Sequence, residues 1–448
     1  MTDIEAHHAK QWIAELPLIG LMSHALPLST RIPALSGFAP LSVPNYRRFA
    51  GSNVIAMSAT WMQRIAQDWL VLQLTHSVTA VGVTTAMQFA PSILFGLHGG
   101  VVVDRYPRRR LLMVTQALVG LFSLLLAVVA LTGTATVWLV WAAAFAIGCV
   151  TVVDNPGRQV FVNELVGRAH LKNALNLNAA VFQLGAFVGP AIAGGLIGAV
   201  GGGWAFLINA AACGVTVFML TRLDESALVP VPAPQRRPHA LREGIAFVLR
   251  TPAIRYSILM LAVLSVFTLT MPVLLAAFAT EVFDLGASGY GLFNSLVAIG
   301  AVVGALASTR MVHLRLRIVV LCGTGWAAVL ALAAVMPSVQ TFGLALIASG
   351  VGSQFFFQSG NPLVQLSTSP EVRGRVMSVW VLVVLGGQGI GGPIMGGIVD
   401  LVGARGGMLI AGGIPAIAGV ALSVLLARRG SLRLAVSARP PRLSIASR

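Results

Sequence analysis

The sequence predicts an all-α protein that crosses a lipid bilayer many times. Of its 448 residues, 56% are hydrophobic and only 10% are charged, whereas a soluble protein has about 25% charged residues. Apolar runs rich in Leu, Ala, Val and Gly recur along nearly the whole chain, and each can span a bilayer as a helix of about 20 residues. A membrane-spanning barrel would need short alternating strands instead. The predicted class is therefore a polytopic α-helical membrane protein.

Twelve transmembrane helices are predicted from these runs. In chain order they cover 49–74, 79–103, 111–132, 137–156, 174–198, 204–222, 253–282, 288–311, 318–336, 341–360, 376–400 and 407–428.

The longest polar interruption divides the helices into two blocks of six. The expected organisation is an N-terminal cytoplasmic tail, a first six-helix bundle, a central cytoplasmic linker, a second six-helix bundle and a basic C-terminal tail, over residues 1–48, 49–222, 223–252, 253–428 and 429–448. Within the linker, the stretch ALREGIAFVLR has helical spacing with an apolar face. It is predicted to form a helix on the inner membrane surface.

The basic residues predict the topology. Most of the 30 lysines and arginines fall in the two tails and in the loops after every second helix, and such loops face the cytoplasm. Arg64, inside the first helix, and Arg405, in the last outer loop, are exceptions. Both termini are therefore expected in the cytoplasm, and the net charge of +16 is assigned to the anionic inner leaflet. Charge spread so thinly does not indicate binding to nucleic acid.

The two blocks resemble each other in sequence. The fourth predicted helix ends in DNPGRQ and the tenth in GNPLVQ. The fifth carries GPAIAGGLI and the eleventh GPIMGGIV. A duplicated six-helix unit is typical of secondary transporters, whose halves move around a central site. Four residues of these repeats are predicted to bend helices: Gly189, Pro190, Gly392 and Pro393.

The loop after the second helix carries the most specific motif. It reads Gly100, three valines, Asp104, Arg105, Tyr106, Pro107, Arg108 and Arg109. With DWLVLQLTHSVTAVGVTTAMQFAPS and EVRGRVMSVW, this motif resembles the major facilitator superfamily, although Pro107 stands where the superfamily has Gly. The resemblance extends over all twelve helices and is closest to the subgroup of bacterial enterobactin exporters and drug efflux proteins.

The resemblance implies the major facilitator fold and a function. We expect a transporter of the bacterial inner membrane that exports drug-like or siderophore-like small molecules in exchange for protons, by alternating access, as a monomer without a bound cofactor. It further implies that Gly100, Asp104, Arg105, Arg108 and Arg109 form a cytoplasmic gate. The expected partners of Asp104 are Arg158, Arg373 and Arg375.

Ionisable groups inside a membrane are costly and indicate function. Arg64 and Asp68 lie four residues apart on one face of the first helix, beside Gln67. Two interpretations stay open. Either the pair neutralises itself and fixes the packing of the helix, or Asp68 binds a proton or a cationic group while Arg64 tunes its acidity. Glu281 and Asp400 fall at outer helix ends and are candidate gate contacts.

Polar residues of several helices are predicted to line a central cavity. The candidates are Gln88, Asn178, Gln183, Asn294, Gln354 and Gln388.

Other functional classes lack their signatures. The eight histidines are scattered, and no metal-binding spacing is present. A phosphate-binding loop needs Gly-Lys-Ser/Thr, but the two lysines, Lys10 and Lys172, follow Ala and Leu. An enzyme, a metal site and an ATP-driven pump are therefore not expected. The main alternative is an importer of a small metabolite, as a uniporter or symporter on the same fold.

Overall fold

The computed structural model describes residues 38–229, 240–308, 315–429, 432–438 and 441–447. The predicted N-terminal tail lies mostly outside these residues, as does the central part of the linker. The described residues belong to one compact unit, Phe38–Arg448. They are almost entirely helical.

The first half of the bundle contains six long helices. They are α1 (Pro44–Thr75), α2 (Val78–Arg105), α3 (Arg108–Leu131), α4 (Val137–Gly167), α5 (Ala169–Val200) and α6 (Gly203–Thr221). Short 3₁₀ turns flank this half at Ala39–Ser42 and Glu225–Ala227.

The second half begins with the short linker helix. Its helices are α7 (Ala240–Arg250), α8 (Pro252–Phe267), α9 (Met271–Ala277), which continues as a π-helical turn (Phe278–Val282), α10 (Gly286–Ser308), α11 (Leu316–Ala333), α12 (Val339–Leu366) and α13 (Pro370–Arg429). Two antiparallel strands, β1 (Leu432–Ala438) and β2 (Pro441–Ser447), follow. The helix predicted for ALREGIAFVLR is confirmed as α7.

Ten helices of the described chain are long and apolar enough to cross a membrane. One of the ten spans, Val372–Arg428, covers both of the last two predicted helices. The first predicted helix, α1, is not among the ten, because it carries charged and amide side chains along its length. Each predicted range overlaps a helix of the structure.

Two glycines interrupt long helical stretches. The chain is helical on both sides of Gly167, where φ is +63°, and of Gly403, where φ is +76°. Such backbone angles are readily available only to glycine. The break between the helices on either side therefore depends on glycine at both positions. Gly167 separates α4 from α5, and Gly403 divides α13.

The antiparallel helices define two ends of the bundle. At the basic end, α2 ends at Arg105 and α3 begins at Arg108. At the opposite Asp400 end, α1 ends at Thr75, α2 begins at Val78 and the first segment of α13 reaches Asp400.

Three apolar clusters show how the halves meet. The largest joins both halves at the Asp400 end and includes Trp69 and Phe206 from the first half with Tyr290 and Phe342 from the second. At the basic end each half has a cluster of its own. The halves therefore share a core at the Asp400 end and are packed separately at the basic end.

Candidate functional site

A cavity of about 280 Å³ lies between the two halves. Its wall comes from α1, α2 and α5 of the first half and, in the second, from the turn after α8 and from helices α9 to α13. Most of the wall is apolar. Besides Arg64 and Asp68, the wall contains four aromatic residues and five amides: Trp61, Phe89, Trp326, Phe357, Gln88, Gln183, Asn294, Gln354 and Gln388.

Arg64 is the positively charged group in the cavity wall. Its guanidinium lies 5.3 Å from the ring centre of Trp61 and 5.4 Å from that of Phe89. Cation–π attraction of this kind holds a guanidinium in place. Among the described residues, Arg64 forms no salt bridge with Asp68 and no hydrogen bond. The self-neutralising ion pair is therefore not present in this conformation, and the donors of Arg64 remain available in the cavity wall.

Asp68 is nearly inaccessible, with 5% of its surface exposed. Its Oδ2 accepts a hydrogen bond of 3.0 Å from the hydroxyl of Tyr290, on α10 of the other half. Its Oδ1 is buried without any hydrogen-bond partner. An ionised carboxylate normally binds several donors when it is buried. The surroundings of Asp68 therefore fit the protonated, neutral carboxyl better than the ionised one.

The predicted amide residues divide into two groups. Gln88, Gln183, Asn294, Gln354 and Gln388 all lie in the cavity wall, and their role in transport stays a prediction.

The other two amides lie outside that wall. Gln67 sits behind it, where its side chain donates to the carbonyl of Val140 and accepts from Gln88, both at 3.3 Å. Asn178 was expected to line the cavity but lies outside its wall. It accepts a 2.7 Å hydrogen bond from Asn53 and belongs to a polar cluster inside the first half.

Asp400 of α13 joins the second half to the N-terminus of α2 in the first half. Its carboxylate accepts hydrogen bonds from the hydroxyl of Ser77 at 2.9 Å and from the backbone N–H groups of Val78 and Thr79 at 3.0 and 3.1 Å. These groups form the N-terminus of α2, where unpaired N–H donors and the helix dipole favour an anion. One residue of the second half thus caps a helix of the first.

Glycines allow the helices to cross closely near the same end. Gly82 of α2 packs on the backbone of Gly392 in α13, and a Cβ at either position would clash with the other helix. On the other side of the cavity, a Cβ on Gly194 of α5 would lie 2.9 Å from the Cα of Gly291 in α10. These crossings close the Asp400 end, and Gly392 acts there as a contact residue.

Gly189 and Pro190 also lie at close contacts between helices. A Cβ on Gly189 would lie 2.6 Å from the Cβ of Trp61, so α5 packs tightly on α1. Pro190 lines the cavity. Pro190 and Pro393 both lie inside helices, and their predicted role in bending stays a prediction.

The arginines expected to pair with Asp104 bind elsewhere in this conformation. Arg375 forms an ion pair with Glu243 of α7. Arg373 donates to the carbonyls of Gln365 and Thr368 at 3.2 and 3.4 Å. The halves are packed separately at the basic end, and the expected pairing of Asp104 with these arginines stays a prediction.

Arg158, the third expected partner, is buried inside the first half. It forms an ion pair of 2.5 Å with Asp154, one turn away on α4, and donates to Asn53 at 2.9 Å. Asp154 also accepts from Thr115 at 2.6 Å and from Gln116 at 3.1 Å. This satisfied network joins α1, α3 and α4 and has the character of a packing element.

The basic loop itself is held to its own half. Arg108 lies 3.5 Å from Glu164, and Arg109 pairs with Glu225 and donates to the carbonyl of Leu220 at 2.7 Å. Next to Glu225, the hydroxyl and then the backbone N–H of Ser226 donate to Asp224 and hold the pKa of that carboxyl below its ordinary value. The motif therefore fixes the start of the linker against α3 and α6.

Tyr290, Trp61 and Phe89 are among the site residues that the sequence did not reveal. Aromatic residues are common in apolar helices, so their side chains gave no distinct signal. Tyr290 lies in GASGYGLFNS, where a hydroxyl-bearing ring among small residues could have indicated a close contact between helices. The described residues contain no group of three or more His, Cys, Asp or Glu that could hold a metal ion.

A helical bundle of two halves, with a mostly apolar cavity between them that is closed at one end, has the architecture of a membrane transporter of small molecules. The sequence matches the transmembrane secretion effector family over residues 35–442. The chain therefore belongs to this family of the major facilitator superfamily.

The chain is similar to curated exporters along most of its length. It is 24% identical over 363 residues to the enterobactin exporter of Escherichia coli O1:K1 / APEC, which covers 79% of this chain and 85% of the relative. It is 25% identical over 364 residues to the enterobactin exporter of Salmonella choleraesuis (strain SC-B67), covering 79% and 86%. The expected resemblance to enterobactin exporters is confirmed.

Solved structures share the fold at low sequence identity. The nucleoside transporter NupG matches with a TM-score of 0.67 and 13% identity, over 85% of this chain and 99% of that one. A bacterial homologue of the human lysosomal transporter Spinster, inward-facing and occupied, matches with a TM-score of 0.66 and 14% identity, over 87% and 97%. The chain thus has the fold of major facilitator transporters.

Proposed function

We propose that this protein is a proton-coupled exporter of siderophore-like small molecules in the bacterial inner membrane. The observation that supports the proposal best is the cavity between the halves, closed by Asp400 and the glycine crossings at one end and flanked at the other by separately packed halves. The similarity to enterobactin exporters supports transport out of the cell. Oxygen-rich, partly aromatic substrates suit a wall that combines the Arg64 donors, five amides and aromatic rings.

The proposed architecture has twelve membrane helices in two bundles of six. Ten spans satisfy length and composition. The break at Gly403 divides the last of them into two helices, and α1 adds another because its 32 residues exceed the length needed to cross a bilayer. Buried partners inside the bundle explain why α1 tolerates polar residues that a lipid-facing helix would not.

The proposed orientation places the basic end in the cytoplasm. Arg105, Arg108, Arg222, Arg250 and Arg375 belong to this end, and arginines concentrate on the cytoplasmic side of membrane proteins. Both termini then lie inside the cell. With the Asp400 end closed, the conformation faces inward, which is the state in which an exporter takes up its substrate.

Within this cavity we assign different roles to the two charged residues of α1. Arg64 meets the substrate, because its guanidinium lines the cavity and lacks a protein hydrogen-bond acceptor among the described residues. Asp68 binds the transported proton, because its carboxyl is nearly buried in the cavity wall and has one oxygen without a partner. The proximity of the two groups lets the charge of Arg64 promote proton release.

The antiparallel helices α2 and α13 suggest how the exporter alternates. Asp400 lies at the Asp400 end of α13 and caps the N-terminus of α2. Asp104 lies at the basic end of α2, and α13 has its N-terminus at that same end, at Pro370. We infer that Asp104 caps α13 in the outward-facing state, with Arg373 and Arg375 as neighbours. One acid would then secure each closed end.

Vesicle transport tests the proposed function. Inside-out vesicles containing the protein are given labelled enterobactin, and an internal pH dye is followed at the same time. We expect uptake of the label with release of protons from the vesicle interior, and little uptake in right-side-out vesicles. Asp68→Asn should abolish the coupled proton movement. Uptake only into right-side-out vesicles would instead show the alternative, an importer.

A further inference from the structure

The hydrogen bond between Tyr290 and Asp68 connects the proton site to the contact between the two halves. Tyr290 belongs to α10 in the second half and is fully buried, whereas Asp68 belongs to α1 in the first half. The bond therefore crosses the interface. Any motion that separates α1 from α10 must break it.

Tyr290 is fixed in the part of the interface that closes the Asp400 end. Its ring stacks on Trp69 of α1 with 6.2 Å between ring centres. The next residue, Gly291, packs directly on Gly194 of α5, and the side-chain amide of Asn294 donates to the Tyr290 carbonyl at 2.9 Å. The hydroxyl can therefore reach Asp68 only while these helices are docked.

The burial of Asp68 makes this contact sensitive to its charge. In the closed arrangement the carboxyl has one donor, Tyr290, and one oxygen without a partner. A neutral acid tolerates this environment, whereas burying an ionised group with so few donors is costly. Separation of the halves would expose the carboxyl to water, which stabilises the ionised form.

We propose that Tyr290 is the positioning residue that couples proton binding at Asp68 to closure of the Asp400 end. Protonation lets the carboxyl dock beneath Tyr290, and loss of the proton favours separation of the halves. The proton thus selects the inward-facing conformation, and its release permits the outward-facing one. This inference rests on the proposed proton coupling and adds the residue through which coupling acts.

Other charged groups at this end have distinguishable effects. Arg64 is the further titratable group that interacts with Asp68, and it keeps its charge throughout the physiological range. Asp400 contacts α2, and Glu281 accepts from the backbone N–H of Ala404 at 3.3 Å within the second half. Neither Asp400 nor Glu281 contacts Asp68. Variants of Asp68 and Tyr290 therefore test the proposed coupling separately from these two acids.

The test measures closure directly, without any substrate. Spin labels are placed on cysteines at Thr134 and Gln340, exposed positions of opposite halves at the Asp400 end, in a background that lacks the three native cysteines. The distance distribution is recorded in lipid nanodiscs between pH 5 and pH 9. The closed fraction should increase as the pH falls. Asp68→Asn should stay closed at every pH.

Tyr290→Phe removes the hydroxyl and keeps the ring. The closed fraction should fall most at high pH, where Asp68 is ionised and loses its donor, so the midpoint of closure should move to lower pH by about one unit. Combined with Asp68→Asn, the same change should lower closure equally at every pH. Tyr256→Phe, at the basic end of the second half, serves as the matched control and should keep the wild-type midpoint.

Two results would overturn the proposal. One is a closed fraction that does not vary with pH in the wild-type protein. The other is a wild-type midpoint in Tyr290→Phe. Because no substrate is present, failure of enterobactin transport would not affect either measurement. Conversely, a shifted closure midpoint in Tyr290→Phe without enterobactin transport would support the coupling and contradict only the assigned substrate.

Discussion

The carboxylate of Asp400 lies 3.1 Å from the backbone nitrogen of Thr79, although the two residues belong to opposite halves of the chain. With the contacts to Ser77 and Val78, this bond places a negative charge on the N-terminus of α2. An anion at that position stabilises a helix terminus by roughly 1 kcal/mol, and up to about 2 kcal/mol when it is partly buried. The same contact holds the Asp400 end of the cavity closed.

Replacing the charge of Asp400 should loosen this closure. Asp400→Asn keeps the shape of the side chain, and we expect the closed state to lose about 1 kcal/mol, roughly a fivefold change in equilibrium. A cysteine at Ala298 in the cavity wall, labelled from outside with a membrane-impermeant maleimide, should react correspondingly faster. Asp284→Asn, an exposed acid at the same end, is the control. Equal labelling in both variants would contradict the prediction.

The glycine crossing of α2 and α13 should not tolerate a side chain. Gly82→Ala places a Cβ against the backbone of Gly392, and overpacking of this kind costs about 1–3 kcal/mol. We expect a reduction of transport by roughly tenfold or more, with increased access to the cavity from the Asp400 end.

Gly96 provides the matched control for that substitution. It lies on the same helix, and nothing lies within 4 Å of a Cβ built there. Gly96→Ala should therefore transport normally. A similar loss in both alanine variants would show that helix flexibility, and not the crossing, limits transport.

Arg64 should determine how well the cavity binds its substrate. Arg64→Lys keeps the charge but loses the planar group between Trp61 and Phe89, and the lost interactions amount to about 1–2 kcal/mol. We expect the apparent KM for enterobactin to increase about tenfold in inside-out vesicles. Arg255→Lys changes an arginine that also stacks on a ring, that of Tyr256, outside the cavity. A rise in KM for both variants would argue against a substrate contact at Arg64.

Removing the buried acid of the first half should destabilise the protein. Asp154→Asn leaves Arg158 without its counter-ion, and breaking a buried pair costs about 3–5 kcal/mol. Thermal unfolding in detergent should show a clearly lowered midpoint. Glu225→Gln breaks the exposed pair with Arg109 and should cost at most about 1 kcal/mol. Comparable midpoints for both variants would mean that the buried network does not stabilise the bundle.

Much of the fold follows directly from the sequence. Long apolar runs give the helices, and their ends agree with Ser77, Pro252 and Ser338, which are typical helix-starting residues. The linker helix α7 was predictable from its one apolar face. The helix break at Gly403 was less predictable, because a glycine among many glycines gives no signal until its backbone angle is known.

The site was predictable in part. Charged residues are rare in apolar helices, so Arg64 and Asp68 stood out. Of the six amides predicted from polarity alone to line the cavity, five lie in its wall. What each charge contacts was not predictable. Tyr290 reaches Asp68 across 222 positions of sequence, and Arg158 turns inward to Asp154, because such partners depend on how the helices rotate and pack.

The location of Asp400 within α13 has a kinetic consequence. Its helical segment is interrupted three residues later at Gly403, so Asp400 lies in the last turn, where the helix terminus carries partial negative charge. Docked on α2, it is compensated by the donors there. When α13 and α2 are partly separated, the carboxylate remains at this negative helix terminus without those donors and with incomplete hydration. Partial separation is therefore an energy barrier, and the Asp400 end should be bistable, with the crossing of that barrier limiting turnover.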